Sequence, residues 1–241
     1  MKRTLSTLAL VALASLQGCS KEASEESKTP SLNDVNSTEK VQEEAKKQQV
    51  ANAPKADKSV PLESYAEMSS GKQVMFAYLA VDTMPLNYEK VAELISQDYR
   101  NQSDEFKKRD LLTALKPAID AEVAKAKKGG YYYMSIDDRL ENYNFDNKSF
   151  PHTGFEEGGY RYFYDMANYK LKFSNSGQYR SIKVDDENLA RDIESLRSKG
   201  GKLETVIYFY VNATELGSEY ALAEITKVKI KDKSGRTLVE M

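Results

Sequence analysis

The chain has 241 residues and a formal net charge of −2 at pH 7, so it lacks the basic excess that is typical of nucleic-acid-binding proteins. A single cysteine excludes an intramolecular disulfide and a zinc site built from several cysteines. A single histidine, His152, excludes a metal site that needs several histidines. The sequence also has no complete phosphate loop and no nucleophile elbow. We therefore expect no nucleic-acid partner, no metal and no cofactor.

The first 18 residues have the three parts of an export signal. Lys2 and Arg3 form a basic head, an apolar stretch rich in Leu and Ala runs from Thr4 to Leu16, and Gln17 and Gly18 then lead into Cys19. The stretch is too short to span a bilayer, which takes roughly 20 apolar residues. The pattern predicts a cleaved signal peptide over residues 1–18.

The tetrapeptide Leu16-Gln17-Gly18-Cys19 resembles the lipobox of bacterial lipoproteins. The resemblance implies that the Cys19 thiol receives a diacylglycerol, that the chain is cut before Cys19, and that the new amine is acylated. Ser20 stands where an Asp would favour the inner membrane, so the resemblance implies a lipid anchor at the periplasmic face of the outer membrane. Gln17 departs from the commoner small or β-branched residue. The alternative is an ordinary secretory signal with an unmodified cysteine.

Residues 19–60 are expected to form the lipidated cysteine and a flexible tether. Ser, Lys, Glu, Ala, Gln and Asn dominate this segment, and aromatic residues are absent from it. Such a composition cannot bury enough apolar area to offset the entropy of ordering. Ser37 to Gln49 has helix-forming residues with opposite charges at helical spacing, which predicts a transient helix.

Residues 61–241 are expected to form one folded domain, whose first third is helical. Apolar residues at three- and four-residue steps predict helices over 61–81, 85–95 and about 103–126. Gly71 is expected to interrupt the first helix, Asn87 to cap the second, and Ser103 or Asp104 to open the third. Pro117 predicts a kink or a break because proline removes a backbone donor.

After Gly129-Gly130 the apolar period changes to that of strands. Strands are predicted over 131–136, 160–164, 169–173, 179–184, 203–211, 220–231 and 237–241, together with an alternating segment at Tyr143 and Phe145. Asp185 or Asp186 opens one inserted helix that ends near Lys199. This order predicts an α+β fold, with an N-terminal helical segment followed by a mostly antiparallel β region with one inserted helix.

Two segments of the domain carry a second resemblance. Pro61-Leu62-Glu63-Ser64-Tyr65 and the run from Ser103 to Leu112 are similar to sequences in a family of uncharacterised bacterial lipoproteins. The similarity covers residues 60–241. It implies no activity and no site residues.

Tyrosine is frequent, with 16 residues, and its clusters provide the candidate binding surface. Tyr131-Tyr132-Tyr133 and the alternation of Tyr160, Tyr162 and Tyr164 place rings on both faces of predicted strands. One face is expected to be core, and exposed rings on the other would favour protein or sugar contacts. The surface is predicted at Tyr131, Tyr133, Tyr160, Tyr162 and Tyr164; the alternative is that these rings only fill an amphipathic sheet.

The remaining candidates are expected to be structural. His152 lies in Phe150-Pro151-His152-Thr153-Gly154 and is expected to be a surface loop residue. The acidic pairs Asp137-Asp138, Glu156-Glu157 and Asp185-Asp186 could serve a carboxylate-dependent reaction. However, neighbours on a strand point to opposite faces, and the pair at 185–186 fits a helix start.

The leading hypothesis is a lipoprotein that is not an enzyme and binds an envelope protein or glycan through its folded domain. It combines the lipid anchor, the tether, the lack of a catalytic motif and the tyrosine-rich strands. One alternative is a carboxylate-dependent envelope glycan hydrolase, which needs two acids in one cleft roughly 5–10 Å apart. Another is a structural spacer, which needs neither a pocket nor an aromatic face.

Overall fold

The computed structural model describes residues 32–137, 139–200 and 203–241. The predicted signal peptide, Cys19 and the first part of the predicted tether lie outside the described residues. The chain divides into two compact units, residues 1–40 and 41–241. In the first unit the described residues are helical and belong to α1 (Leu32–Asn52). All further description concerns the second unit.

The fold is α+β, which confirms the class predicted from the sequence. The other helices are α2 (Gly71–Val81), α3 (Tyr88–Ile95), α4 (Gln97–Asn101), α5 (Glu105–Gly129) and α6 (Glu187–Ser198). The strands are β1 (Ala66–Glu67), β2 (Tyr131–Asp137), β3 (Ser149–Pro151), β4 (Tyr160–Arg161), β5 (Lys170–Phe173), β6 (Ser181–Lys183), β7 (Leu203–Thr214), β8 (Tyr220–Asp232) and β9 (Thr237–Glu240). No helix in the described ranges has the length and apolar character needed to cross a membrane.

Seven of these strands form one mixed sheet in the order β1-β2-β7-β8-β5-β4, with β9 also paired to β8. The β1–β2 and β5–β8 pairs are parallel, whereas β2–β7, β7–β8, β4–β5 and β8–β9 are antiparallel. Strands β3 and β6 form a separate antiparallel pair. The long β7–β8 pair therefore lies at the centre, and the short strands lie at the two edges.

The two faces of the sheet differ because successive side chains point to opposite sides. The inner face packs on α2, where Val74 and Met75 are fully buried against residues such as Ile207 of β7. The same core continues to Phe150 of β3 and Ile193 of α6. The outer face carries tyrosines and lysines that are only partly buried. The sheet is thus apolar on one side and amphipathic on the other.

The predicted helix starts are largely confirmed. The side chain of Asn87 accepts a hydrogen bond from the Lys90 amide at 3.0 Å, and Asp104 and Asp186 accept bonds from the first amides of α5 and α6. Helix α5 continues through Pro117 as one element, so of the predicted kink or break the break is wrong. The helix predicted from Pro61 begins only at Gly71, because the preceding residues instead pair with β2 as β1.

Residues 53–65, which we call the strap, cross the outer face of the sheet. The Asn212 amide donates to the Pro54 carbonyl at 2.9 Å, and the Ala56 amide donates to Glu224 Oε2 at 3.1 Å. The Asp57 amide donates to the Tyr131 hydroxyl at 2.8 Å. The chain therefore joins the sheet several residues before Pro61, where the predicted tether ends, because side chains of the sheet satisfy its backbone groups.

The loop after β4 is fastened to the start of α2. Asp165 accepts hydrogen bonds from the Gly71 amide at 2.8 Å and from the Lys72 amide at 3.4 Å. A carboxylate at this position also interacts favourably with the helix dipole. Gly71 lies directly against Met166, and a Cβ added at Gly71 would lie 2.8 Å from the Met166 Cβ and carbonyl oxygen. This contact sets the position of the loop that carries Tyr164.

Replacing Gly71 with Ala should destabilise the domain by about 1–3 kcal/mol, because the added methyl group overpacks the contact with Met166. Urea unfolding followed by circular dichroism measures the effect. Gly129→Ala, also in a helix, is the matched control, because a Cβ there meets nothing within 4 Å. That variant should be unchanged or slightly more stable. Equal stability of the two variants would contradict the close contact.

Candidate functional site

The outer face of the sheet holds a central cluster of five tyrosines: Tyr65, Tyr131, Tyr133, Tyr208 and Tyr210. Tyr131 and Tyr210 are stacked, with ring centroids 4.6 Å apart. Tyr65 makes edge contacts with Tyr131 at 5.2 Å and with Tyr208 at 5.5 Å. Tyr133 lies 5.7 Å from Tyr208. The central cluster therefore forms a continuous aromatic layer over β2 and β7.

This layer packs the strap onto the sheet. Tyr65 is 5% exposed, its hydroxyl lies 3.0 Å from the Thr226 hydroxyl, and burial raises the pKa of its phenol. The Tyr131 hydroxyl accepts a hydrogen bond from the Asp57 amide. Tyrosine suits this position because the ring is buried while the hydroxyl finds a partner. Tyr131 and Tyr133, which were predicted to be part of a binding surface, thus make packing contacts within the chain.

A second group, which we call the edge array, consists of Tyr160, Tyr162, Tyr164 and Tyr220. The rings follow one another, with centroids 5.5 Å apart from Tyr164 to Tyr162, 6.2 Å from Tyr162 to Tyr160 and 5.7 Å from Tyr160 to Tyr220. Tyr160, Tyr162 and Tyr164 are 45%, 43% and 92% exposed. Unlike the rings of the central cluster, these three leave much of their surface in solvent.

Two lysines of β5 lie over the edge array. The Lys170 ammonium is 4.6 Å from the Tyr160 ring centroid and 5.2 Å from that of Tyr220. The Lys172 ammonium is 4.0 Å from the Tyr220 centroid and forms an ion pair with Glu215 at 2.8 Å. Lys170 has no ion pair with any of the described residues. The array therefore combines exposed aromatic rings with a positive charge.

The loop after β4 presents the array outward. Phe163 packs against the core between Tyr162 and Tyr164, which directs its neighbours toward solvent. A hydrogen bond with Tyr164 raises the pKa of the Tyr162 phenol. The predicted strand ends at Arg161, so Tyr162 and Tyr164 are held by this loop and not by strand alternation.

The structure does not bring the five predicted tyrosines together. Tyr160 lies on the same outer face as Tyr131. It pairs with Lys172 of β5, and Lys172 pairs with Leu222 of β8. Leu222 lies two residues from Glu224, which pairs with Tyr210 on the outer face, so these residues all point to the same side. However, β7, β8 and β5 lie between β2 and β4. At about 4.8 Å per strand, β2, which carries Tyr131 and Tyr133, is roughly 19 Å from β4, which carries Tyr160. The predicted surface is therefore two separate groups.

Several aromatic and charged members of these groups were missed from the sequence. Tyr208 and Tyr210 lie in a nearly continuous apolar run, which hides their alternation, and Tyr65 belongs to a segment predicted to be helical. Tyr220 joins the array only through the parallel pairing of β5 with β8. The sequence did contain a signal for the two lysines of the array. Lys170 and Lys172 alternate with apolar residues, and this alternation marks the outer face of β5.

A groove of about 410 Å³ lies on the outer face beside β2. It is lined by Leu62, Glu63, Tyr65, Tyr133, Ser135, Glu204, Val206, Tyr208 and Lys231. Two carboxylates, Glu63 and Glu204, thus share one groove, although neither belongs to the acidic pairs singled out from the sequence. Of those pairs, Glu156 and Glu157 are exposed, Asp186 caps α6, and Asp138 lies outside the described residues.

His152 is buried, with 2% of its surface exposed, so the prediction of a surface loop histidine is wrong. Its Nε2 lies 2.9 Å from the Thr205 hydroxyl, its Nδ1 accepts the Gly154 amide at 3.0 Å, and its ring lies 4.4 Å from that of Phe155. Burial, with a smaller contribution from nearby Arg161, lowers the pKa of His152 to about 4. The imidazole is therefore neutral at pH 7 and serves the core.

Comparison with known proteins gives no functional lead, because no family model, curated protein or solved structure matches the chain. In the described part of the chain, no group of three or more His, Cys, Asp or Glu side chains could hold a metal ion. Any role assigned to the folded domain therefore depends on the geometry of its surface.

The buried histidine should make the domain sensitive to acid. The unfolded chain takes up a proton on His152 near pH 6.5, whereas the folded chain does so only near pH 4. Stability from this group is therefore fully present above pH 6.5 and is lost as the pH falls toward 4. The loss amounts to roughly 3 kcal/mol.

Urea unfolding of the unmodified chain and of His152→Gln, at pH 7 and at pH 4, measures this effect. Glutamine keeps polar atoms at the position but does not titrate. The stability difference between the two proteins should shift by roughly 3 kcal/mol in favour of the variant at pH 4. Parallel pH profiles for the two proteins would show that His152 does not titrate in this range.

Proposed function

We propose that this protein is a membrane-anchored envelope lipoprotein that binds another component of the envelope, a protein or a glycan, through the edge array. In this proposal the domain is not an enzyme. Its anchor is the lipid on Cys19, and it lies at the periplasmic face of the outer membrane.

The exposure of the edge array is the observation that supports binding. Tyr160, Tyr162 and Tyr164 contact one another but leave 43–92% of their surface in solvent. Large exposed aromatic groups are uncommon on monomeric surfaces, and tyrosine is enriched at interfaces. The sheet and the Asp165 contact with α2 hold the array in place before a partner arrives. Preorganisation of this kind lowers the entropy lost on binding.

The charge of the array favours a partner with acidic or polar groups. Lys170 lies over two rings and has no ion pair with any of the described residues, so its charge is available to a ligand. An anionic group on a partner could contact the ammonium while the rest of the partner covers the rings. Such a contact gains strength when binding excludes water.

The lipid anchor is supported by the sequence around Cys19 alone. A mature protein with two or three acyl chains stays on its membrane, since stable anchoring takes more than one chain. The domain would then meet its partners close to that membrane.

The carboxylate-dependent glycan hydrolase is the second candidate, and Glu63 and Glu204 on one groove are the observation that favours it. A paired-carboxylate mechanism places an acid and a base or nucleophile on either side of the scissile bond. This candidate requires turnover, whereas the binding module requires only a stable complex. The third candidate is a structural spacer, a function in which the exposed tyrosines of the edge array would have no role.

A photo-crosslinking amino acid placed at Tyr164 should capture a discrete partner in intact cells, because this ring is the most exposed of the array. Tyr160→Ala and Tyr164→Ala should each weaken binding of the captured partner about tenfold, as truncation of an aromatic interface residue commonly does.

Phe106 is the matched control, because it is an aromatic residue that is 73% exposed on α5, away from the array. The crosslinker at position 106 should give no such product, and Phe106→Ala should bind normally. Identical capture from positions 106 and 164, or no capture from either, would count against the edge array as the binding surface.

Replacing Cys19 with Ser should leave the precursor uncut and without lipid, because a hydroxyl does not replace the thiol as the acylated group. Metabolic labelling with a fatty acid, followed by mass spectrometry of the mature N-terminus, measures both effects. A labelled Cys19→Ser protein, or a native protein with a bare N-terminus, would contradict the anchor.

A further inference from the structure

The edge of β2 is only partly covered. Strand β1 pairs with β2 at Tyr132 and Tyr133 alone, and the Met68 amide donates to the Tyr133 carbonyl at 2.8 Å. The chain then leaves the sheet, and Ser70 caps α2. Among the described residues, no strand lies beside Ser135 to Asp137 on this side. We call these three residues the open edge.

The backbone groups of the open edge point away from the sheet. The Tyr133 carbonyl faces β1, whereas the Gly130 carbonyl accepts from Val211 of β7. Because successive residues of a strand bond to opposite sides, the amides and carbonyls of Ser135 and Asp137 face the same way as those of Tyr133. A row of free donors and acceptors of this kind is a template for an added strand.

The side chains next to the open edge carry a net negative charge. Asp137 lies directly opposite Glu204 in the β2–β7 register, and like charges in this arrangement repel. Glu63 lines the same groove. None of these carboxylates forms an ion pair with another described residue, and Lys231, opposite Glu204 on β8, is the one described cation that lines the groove.

The groove also provides aromatic surface for a cation. Ser135 pairs with Val206, and Tyr133 pairs with Tyr208. The small side chain of Ser135 therefore has an apolar and two aromatic side chains as neighbours on the outer face. A residue paired with Ser135 would place its side chain over this groove. A long basic side chain could reach the carboxylates while its methylene stem covers the tyrosine rings.

We infer that the open edge binds an extended peptide segment of a partner protein, which adds as a strand and places a basic side chain in the groove. Extended backbone is the chemistry that satisfies alternating amides and carbonyls, and the surplus of carboxylates selects the basic side chain. This site lies at the other end of the sheet from the edge array, and it does not depend on the function proposed for that array.

The test uses the full chain and labelled peptides with blocked ends, Thr-Val-Lys-Val-Thr and its Glu-centred counterpart. Fluorescence polarisation should show binding of the Lys peptide at least tenfold tighter than that of the Glu peptide. Glu63→Gln combined with Glu204→Gln should remove most of this preference. Equal affinity for the two peptides, or no binding of either, would overturn the inference.

N-methylation of the peptide tests strand addition without altering the protein. Methylation at one set of alternate residues should abolish binding, and methylation at the other set should be tolerated, because only one set faces β2. Ser135→Pro is the matching protein variant, since it removes an amide that faces away from β7. It should lower affinity at least tenfold while the far-ultraviolet circular dichroism stays unchanged. Tolerance of both methylated series would exclude an added strand.

Discussion

The long antiparallel pairing of β7 and β8 is the interaction on which the rest of the structure depends. The two strands pair from Leu203 opposite Asp232 to Thr214 opposite Ala221, and the pairing register shifts at two points between these ends. Strand β2 attaches to the other side of β7, whereas β5 and β9 attach to separate parts of the free side of β8. Each of the surfaces described above is therefore positioned by backbone hydrogen bonds that lead back to this pair.

The asymmetry of the sheet follows from which side α2 covers. On the inner side, Ile207 and Phe209 alternate in β7 and are fully buried. On the outer side, Tyr208 and Tyr210 alternate with them and are only partly buried. A face without a covering layer of helices needs side chains that tolerate both packing and water, and tyrosine meets both needs. The tyrosines on the outer face are thus a consequence of a sheet with one covered face.

The sequence predicted those features that local chemistry determines. Asn87 and Asp104 were identified as caps because their short side chains can accept backbone amides, and β7 was identified as central from its apolar run. Features that depend on distant pairing were not predictable. His152 is surrounded by loop-forming residues, yet the bridge with Leu140 and the contact with Thr205 bury it. Tyr65 was assigned to a helix because its apolar neighbours have helical spacing, whereas pairing of the following residues with β2 determines its place.

The course of the strap explains why the two exposed surfaces lie at opposite ends of the sheet. Its contacts are with Asn212 of β7, Glu224 of β8 and Tyr131 of β2, so it occupies the middle of the outer face. The edge array at β4 and β5 and the backbone of the open edge on β2 are left uncovered, although Leu62 and Glu63 of the strap line the groove beside the open edge. Residues that lie under the strap are held by the chain itself, whereas those at the two ends have no such cover among the described residues. The same face therefore divides by geometry into a packing region at its centre and accessible regions at its ends. An aromatic ring on this face is a candidate for recognition only where it borders an accessible region, as the edge array does and as Tyr133 and Tyr208 do at the groove.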